Sequence, residues 1–446
     1  MNDHQRERGS SAGKSGSGWQ VWLLAAVAVL WPWSGAQALT LPEGLAIVTE
    51  KGRDVSLARA EQEVAHGAVT LARSPYLPWV DLYGRETWLR YQPEAKTPQG
   101  SFPMSEDQFL SYGFKVTQLL YDFGKTTSSI SASRSSAEAK DVNTVRVRNR
   151  SALEFIIAYL DLLEADKLLK VAADEVSQYE SHHKDTEARY SAGVITRNEV
   201  LQVQVLLSDS RQRLLTAQNN RSIRASQVNS LLLMPLTGTV EAQEVEGAPA
   251  AGITLEDAWV YAENESPELK EIRAQIQAKK ETVSAIRSEY LPNIYVAGGY
   301  DYQKNRYQVH DDNWSVVAGI NLNFFAGGAT RAKVLMGENE LRGLTVTGDK
   351  LLDMVRLEVQ RNYLEYQSSL QKGEVTGTAV AQAEENLRIQ RLRYQEGVGT
   401  ATEVLDAVIL LTTAQTNAWK AQYGVKRAEA GLLYVMGRDL AGEYGK

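Results

Sequence analysis

Hydrophobic and polar residues follow two different periods along this chain, and the switch between them occurs twice. Trp314, Val316, Ala318, Ile320, Leu322 and Phe324 share one side of a period-two pattern, with Ser315, Val317, Gly319, Asn321 and Asn323 opposite. That alternation predicts a strand with one apolar and one mostly polar face. Ile294, Val296, Gly298, Tyr300 and Tyr302 alternate in the same way with Asn293, Tyr295, Ala297, Gly299 and Asp301. So do Leu110, Tyr112, Phe114 and Val116 with Ser111, Gly113, Lys115 and Thr117. A fourth, noisier stretch is rich in Trp and Tyr. Strands are therefore expected over about 79–91, 109–123, 293–303 and 314–325, joined by loops at Gln92 to Asp107, with three prolines, and Asn305 to Asn313.

After Gly124 and Gly328 the period becomes helical. Lys125 to Tyr190 contains no proline and no glycine, enough chain for about 100 Å of helix. Val142, Val145, Ala152, Ile156, Tyr159 and Leu163 keep a seven-residue rhythm, and Leu153, Ile157 and Leu160 add a second seam beside it. Two seams suit a helix packed on both sides, as in a wall. Long helices are expected over about 125–190, 196–234, 329–395 and 400–437. Shorter ones precede the strands, over about 53–73 in the first half. In the second half they start at Thr254 and at Ser266-Pro267, a cap followed by proline at the first helical position.

The chain repeats itself. Arg189-Tyr190-Ser191-Ala192-Gly193-Val194-Ile195-Thr196-Arg197-Asn198-Glu199-Val200-Leu201 and residues 393–405 agree at eight of thirteen positions. Arg73-Ser74-Pro75-Tyr76-Leu77-Pro78 is answered by Arg287-Ser288-Glu289-Tyr290-Leu291-Pro292. Internal repeats outrank local signals when a fold is assigned. The expected organisation is a first repeat over 39–235, a linker rich in Gly, Ala, Glu and Pro over 236–252, a second repeat over 253–437 and a tail over 438–446. In the repeated motif Gly193 and Gly397 suit a helix C-cap, while Thr196 and Thr400 stand three residues before Glu199 and Glu403, the spacing of a capping box. The motif is physically the tip of a helical hairpin.

The strands have the length that crosses a bilayer when tilted, and Trp79, Trp88, Tyr91, Tyr302 and Trp314 sit near their ends, as in an interfacial girdle. A soluble β-sandwich edge also alternates aromatics, and the strands alone do not separate the two. Four strands cannot close a barrel, so a membrane location requires several chains to pool them.

Arg6, Arg8 and Lys14, an apolar stretch from Trp19 to Trp33 and Ala36-Gln37-Ala38 mark residues 1–38 as a signal peptide, with the mature chain expected from Leu39. That segment is net basic, so the mature chain is more acidic than the overall −7, a poor balance for nucleic acid. There is no cysteine, which removes disulfides, thiolate metal sites and cysteine catalysis. His182-His183 reads as solvent-exposed, since adjacent helical residues point apart. Lys14 lacks P-loop spacing. No catalytic or metal grouping is assigned and no cofactor is expected; the chain reads as a non-enzyme.

With Arg-Ser-x-Tyr-Leu-Pro before the strands, Tyr121-Asp122-Phe123-Gly124 and Phe324-Phe325-Ala326-Gly327-Gly328 after them, and the doubled tips, the chain resembles the TolC-like outer-membrane efflux protein family. The resemblance implies an α+β membrane protein: a homotrimer whose outer-membrane β-barrel, four strands per chain, continues into a long α-helical periplasmic barrel. It implies an exit duct in outer-membrane lipid that serves a tripartite efflux pump or type I secretion system. The partners would be a periplasmic adaptor (membrane fusion protein) and an inner-membrane transporter of RND or ABC type. By the same resemblance Glu403 and Asp406 form the periplasmic gate, with Glu199 as first-half counterpart and Gln202 in place of a second acid. Gly193, Val194, Thr196, Gly397, Val398 and Thr400 are the adaptor-contacting tips. Some members carry a base at the position of Gly399 that locks the gate; Arg197 or Arg391 are the substitutes available here. A periplasmic helical-hairpin adaptor is the alternative function, and an exported hydrolase a more distant one.

Overall fold

The computed structural model describes residues 39–445 apart from 246 and 248. The signal-peptide assignment lies outside the described residues. Thr40 opens α1 (Leu41–Lys51) with a capping box, its N–H 3.1 Å from the Glu43 carboxylate. Next come α2 (Arg53–Arg73), a short 3₁₀ turn at Ser74–Tyr76, β1 (Trp79–Trp88), β2 (Glu94–Thr97), β3 (Gly100–Pro103) and β4 (Gln108–Tyr121). The helices α3 (Lys125–Ser191) and α4 (Arg197–Leu231) complete the first repeat. The second repeat runs α5 (Leu255–Glu265), α6 (Pro267–Arg287), a 3₁₀ turn at Ser288–Tyr290, β5 (Asn293–Gln303), β6 (Asp312–Asn321), α7 (Ala329–Gln395), α8 (Ala401–Met436) and a short α9 (Leu440–Tyr444).

Each strand-to-helix corner is built by its own residues. Gly124 and Gly328 adopt φ of +92° and +84°, a left-handed conformation that favours glycine. The buried Asp122 carboxylate accepts the Thr126 N–H at 2.8 Å, satisfying a donor at the start of α3. Both α3 and α7 then run for 67 residues. Proline-free sequence lets α3 do so. In α7, Gly337 and Gly348 let α6 approach closely, with Val283 and Ile276 about where a Cβ would need room.

The strands form one antiparallel sheet in the order β1-β4-β5-β6. The register places Val80 against Val116, Leu82 against Phe114, Phe114 against Tyr300, and Tyr300 against Trp314. Directly opposed residues share a face, so one face is apolar across all four strands. Asp81 against Lys115, Gly113 against Asp301 and Gly299 against Ser315 make the other face polar. The apolar face is bare: Leu82 is 81% exposed and Val316 82%. Both sheet edges, β1 and β6, are unpaired in the single chain.

Two expectations need correction. The loop from Gln92 to Asp107 contains the β2–β3 hairpin, which closes around Pro98 and Gln99; its strands are too short to show a period. The connection over 236–252 is largely exposed among its described residues but anchored at points: Val240 and Ala250 are buried, Leu39 bridges to Ala242, and the Tyr159 hydroxyl lies 2.7 Å from the carbonyl oxygens of Leu39 and Gln243. The tail carries α9, whose Leu440 joins the same core. That core gathers Leu45 of α1, Phe155, Ile156 and Leu160 of α3, Val359 of α7 and Leu432 and Met436 of α8. The seven-residue seam of α3 enters it only from Ala152 onward, since Val145 is exposed. A second core joins the far ends of the four long helices through Tyr179, Val203, Leu207, Leu387, Tyr394 and Val404.

Candidate functional site

The two hairpin tips close the second core from below. Gly193 and Gly397 take φ of +73° and +76°, so each helix ends in a left-handed residue. At the first tip Val194 N–H returns to the Arg189 carbonyl at 3.0 Å; at the second, Val398 N–H returns to that of Arg393 at 2.9 Å. Thr196 and Thr400 then start α4 and α8. The Glu403 carboxylate accepts the Thr400 N–H at 2.9 Å and the Glu199 carboxylate accepts the Thr196 N–H at 3.4 Å. Val194 and Val398 stand exposed at the apices.

The acids therefore differ in their local ties. Glu403 is held by its capping box and by Arg393 at 3.6 Å. Asp406, one turn further along α8, is exposed and carries no ion pair among the described residues. It borders a groove of about 440 Å³ between α8 and α4, lined also by Gln202, Val205 and Leu405. Gln202 lines the groove on the α4 side, so the groove holds no second acid opposite Asp406.

The two hairpins are joined by a stripe on α3 that local sequence reading missed. Gln178, His182, Asp185 and Arg189 recur at helical spacing on one side of α3. The Arg391 guanidinium donates to Gln178 Oε1. The His182 ring stands edge-on to Tyr394 with centroids 5.2 Å apart. Arg189 donates to the Gln395 carbonyl at 2.9 Å and lies over the Tyr394 ring. His182, expected in solvent, is only 6% exposed. Burial drives its pKa below the ordinary imidazole value, and burial lowers that of Arg391 as well. Tyr394 is pushed up, again by burial. Of the two arginines considered for a lock, Arg391 reaches the other hairpin, while Arg197 is exposed in the first turn of α4. No signal in one local window marks the stripe, because its partners lie about two hundred residues away.

The arrangement places two acids, Glu403 and Asp406, one turn apart near the start of α8. Among the described residues no group of three or more His, Asp or Glu side chains could hold a metal ion. No helix of the described residues is long and apolar enough to cross a membrane.

Comparison with known proteins agrees with this geometry. The family described as outer membrane efflux protein matches residues 48–232 and 260–438, once in each repeat. The chain is 21% identical to the outer membrane efflux protein BepC of Brucella suis, over 91% of this chain and 87% of that one. It is 20% identical to the outer membrane protein TolC of Escherichia coli, over 87% and 81%. Among solved structures, a membrane protein from Pseudomonas aeruginosa superposes with a TM-score of 0.78 at 15% identity, covering 89% of this chain and 90% of that chain. The outer membrane protein VceC of Vibrio cholerae gives 0.76 at 18%, covering 90% and 96%.

Proposed function

The chain belongs to the outer membrane efflux protein family, and from that premise we propose that it is the outer-membrane exit duct of a multi-protein export machine. In this reading an inner-membrane transporter and a periplasmic adaptor deliver substrates that the duct conducts passively. One observation carries it: a sheet whose bare face is apolar on every strand, whose other face is polar, and whose two edges are unpaired. Lipid accepts the apolar face but not the edges. The four strands alternate in direction, so joining β6 of one chain to β1 of the next continues the antiparallel pattern. Three copies then close a twelve-stranded barrel lined by the polar face, with Asp81, Arg85, Lys115 and Asp301 toward the lumen.

The long helices extend that lumen into the periplasm, and the tips form its gate. Glu403 and Asp406 of three chains make a negative ring that favours cations. Arg189 and Arg391 hold the second hairpin against α3 in the closed state. The adaptor meets the exposed apices at Val194 and Val398, shaped by Gly193, Thr196, Gly397 and Thr400.

The absence of cysteine makes the assembly directly testable. Cysteine pairs scanned across the β1 and β6 edges, oxidised in membranes, yield a covalent species of three chains and nothing larger. Monomer alone at every pair in the scan contradicts the closed ring.

A further inference from the structure

His182 is a buried base that the gate as described does not use. Its ring lies between the two ends of the second hairpin's turn: against Tyr394, the penultimate residue of α7, and beside the backbone of Ala401, the first residue of α8. Its Nε2 is buried with no hydrogen-bond partner. Nothing at that nitrogen waits to accept a proton's charge.

Burial disfavours a cation here; the Ala401 backbone and Asp185 oppose that effect, and two guanidinium groups add to it. On α3 itself the facing groups are Asp185 and Arg189; from α7 they are Arg391 and the Tyr394 phenol. The first turn of α4 brings Glu199, which acts on Tyr394. The remainder of α4 at this level is Val203 and Leu207. From α8 the neighbour is the Ala401 backbone, while Glu403 is tied to Thr400 and Arg393 and Asp406 acts on Tyr179, three residues back along α3. Two guanidinium groups therefore bracket the imidazole, and Asp185 is the carboxylate that most directly opposes them.

We propose that His182 is an acid-sensitive wedge of the tip: protonated, it releases the second hairpin from α3 and opens the duct. The inference rests on the gate reading above and adds its regulation. Neutral imidazole packs under Tyr394 and leaves Arg189 and Arg391 free to clasp Gln395 and Gln178. Imidazolium puts a third positive charge beside them, at a ring nitrogen that is itself buried. Splaying the second hairpin exposes the imidazolium to water and separates it from Arg391.

The sign follows from linkage. In the open tip His182 regains a pKa near 6.5; in the closed tip burial holds it lower. The closed state is fully favoured above that ordinary value and loses its advantage as the pH falls below it. Each unit of depression lowers the closed-to-open ratio by up to about tenfold.

The test uses the full-length protein in planar bilayers, in a background with Glu403→Gln and Asp406→Asn so that gate carboxylates do not titrate. Open probability is recorded from pH 7.5 to 5. The inference predicts a rise of about tenfold or more on acidification, abolished by His182→Phe, which still packs against Tyr394. Arg391→Gln, by removing one neighbouring cation, lessens the depression of the His182 pKa, so the fold-rise in open probability between pH 7.5 and 5 shrinks, even though the lost tie to Gln178 raises open probability at every pH. His182→Gln, a smaller polar change, serves if the phenylalanine variant does not assemble. An acid response that survives in either His182 variant overturns the proposal, as does a duct that opens in this background without any response to pH. Absence of openings at every pH instead contradicts the duct reading itself.

Discussion

The guanidinium of Arg189 lies over the ring of Tyr394, 4.5 Å from its centroid. The two residues belong to different repeats, and the same arginine also holds the Gln395 carbonyl. Its counterpart in the second repeat, Arg393, turns back instead to its own hairpin, onto Gln390 and Glu403. The duplicated sequence thus gives two equivalent arginines different work, one between hairpins and one within a hairpin.

Arg189→Ala is expected to loosen the tip. A partly exposed cation–π contact is worth about 0.5–1 kcal/mol and the hydrogen bond about 1 kcal/mol. Together they bias the tip toward opening by roughly tenfold, read as open probability or as uptake of a large antibiotic by cells. Arg393→Ala, lacking the cross-hairpin ties, changes either readout less.

The two faces of the sheet are expected to respond differently. Leu82→Arg on the apolar face costs about 2–4 kcal/mol at bilayer depth and reduces the amount of assembled protein in outer membranes. Lys115→Glu on the polar face leaves assembly intact and shifts ion selectivity toward cations. Equal loss of assembly in both variants contradicts the assignment of faces.

Gly44 of α1 faces the ring of Phe155, and a Cβ there would stand 2.0 Å from its nearest atom. Gly44→Ala forces the core apart at a cost of about 1–3 kcal/mol. Thermal unfolding of the purified protein in detergent measures it. Gly67→Ala, on open surface in α2, is the matched control and is neutral or slightly stabilising.

Burial pushes the Glu429 carboxyl above its ordinary value, although it accepts the Ala250 N–H at 3.0 Å. A carboxyl raised in the folded state stabilises the protein below the ordinary carboxylate pKa, and that contribution is lost as the pH rises through the folded value. Glu429→Gln keeps the acceptor and removes the charge. It is expected to raise the melting temperature at pH 7.5, with the gain shrinking as the pH approaches 4.5. A gain independent of pH points to packing instead.

The fold was largely legible because its signals are local. Period-two faces, Gly124 and Gly328 at the corners, and the Gly-Val-x-Thr-x-x-Glu tips each act within a few residues. The β2–β3 hairpin was not legible, since four-residue strands carry no period. Nor was the anchoring of the connection between the repeats: a polar, glycine-containing stretch gives no sign that Val240 and Ala250 are buried or that Tyr159 and Glu429 hold its backbone. At the site, Glu199 and Glu403 could be placed by their caps. His182 could not, because its burial is decided by Tyr394 and Ala401, far along the chain.

The central claim is tested most directly by single-channel conductance of the purified, detergent-extracted protein in a planar bilayer. The account predicts small, cation-selective openings that grow when Glu403→Gln and Asp406→Asn neutralise the ring and Arg189→Ala loosens it. Verified insertion with no conductance in any of these variants would contradict it.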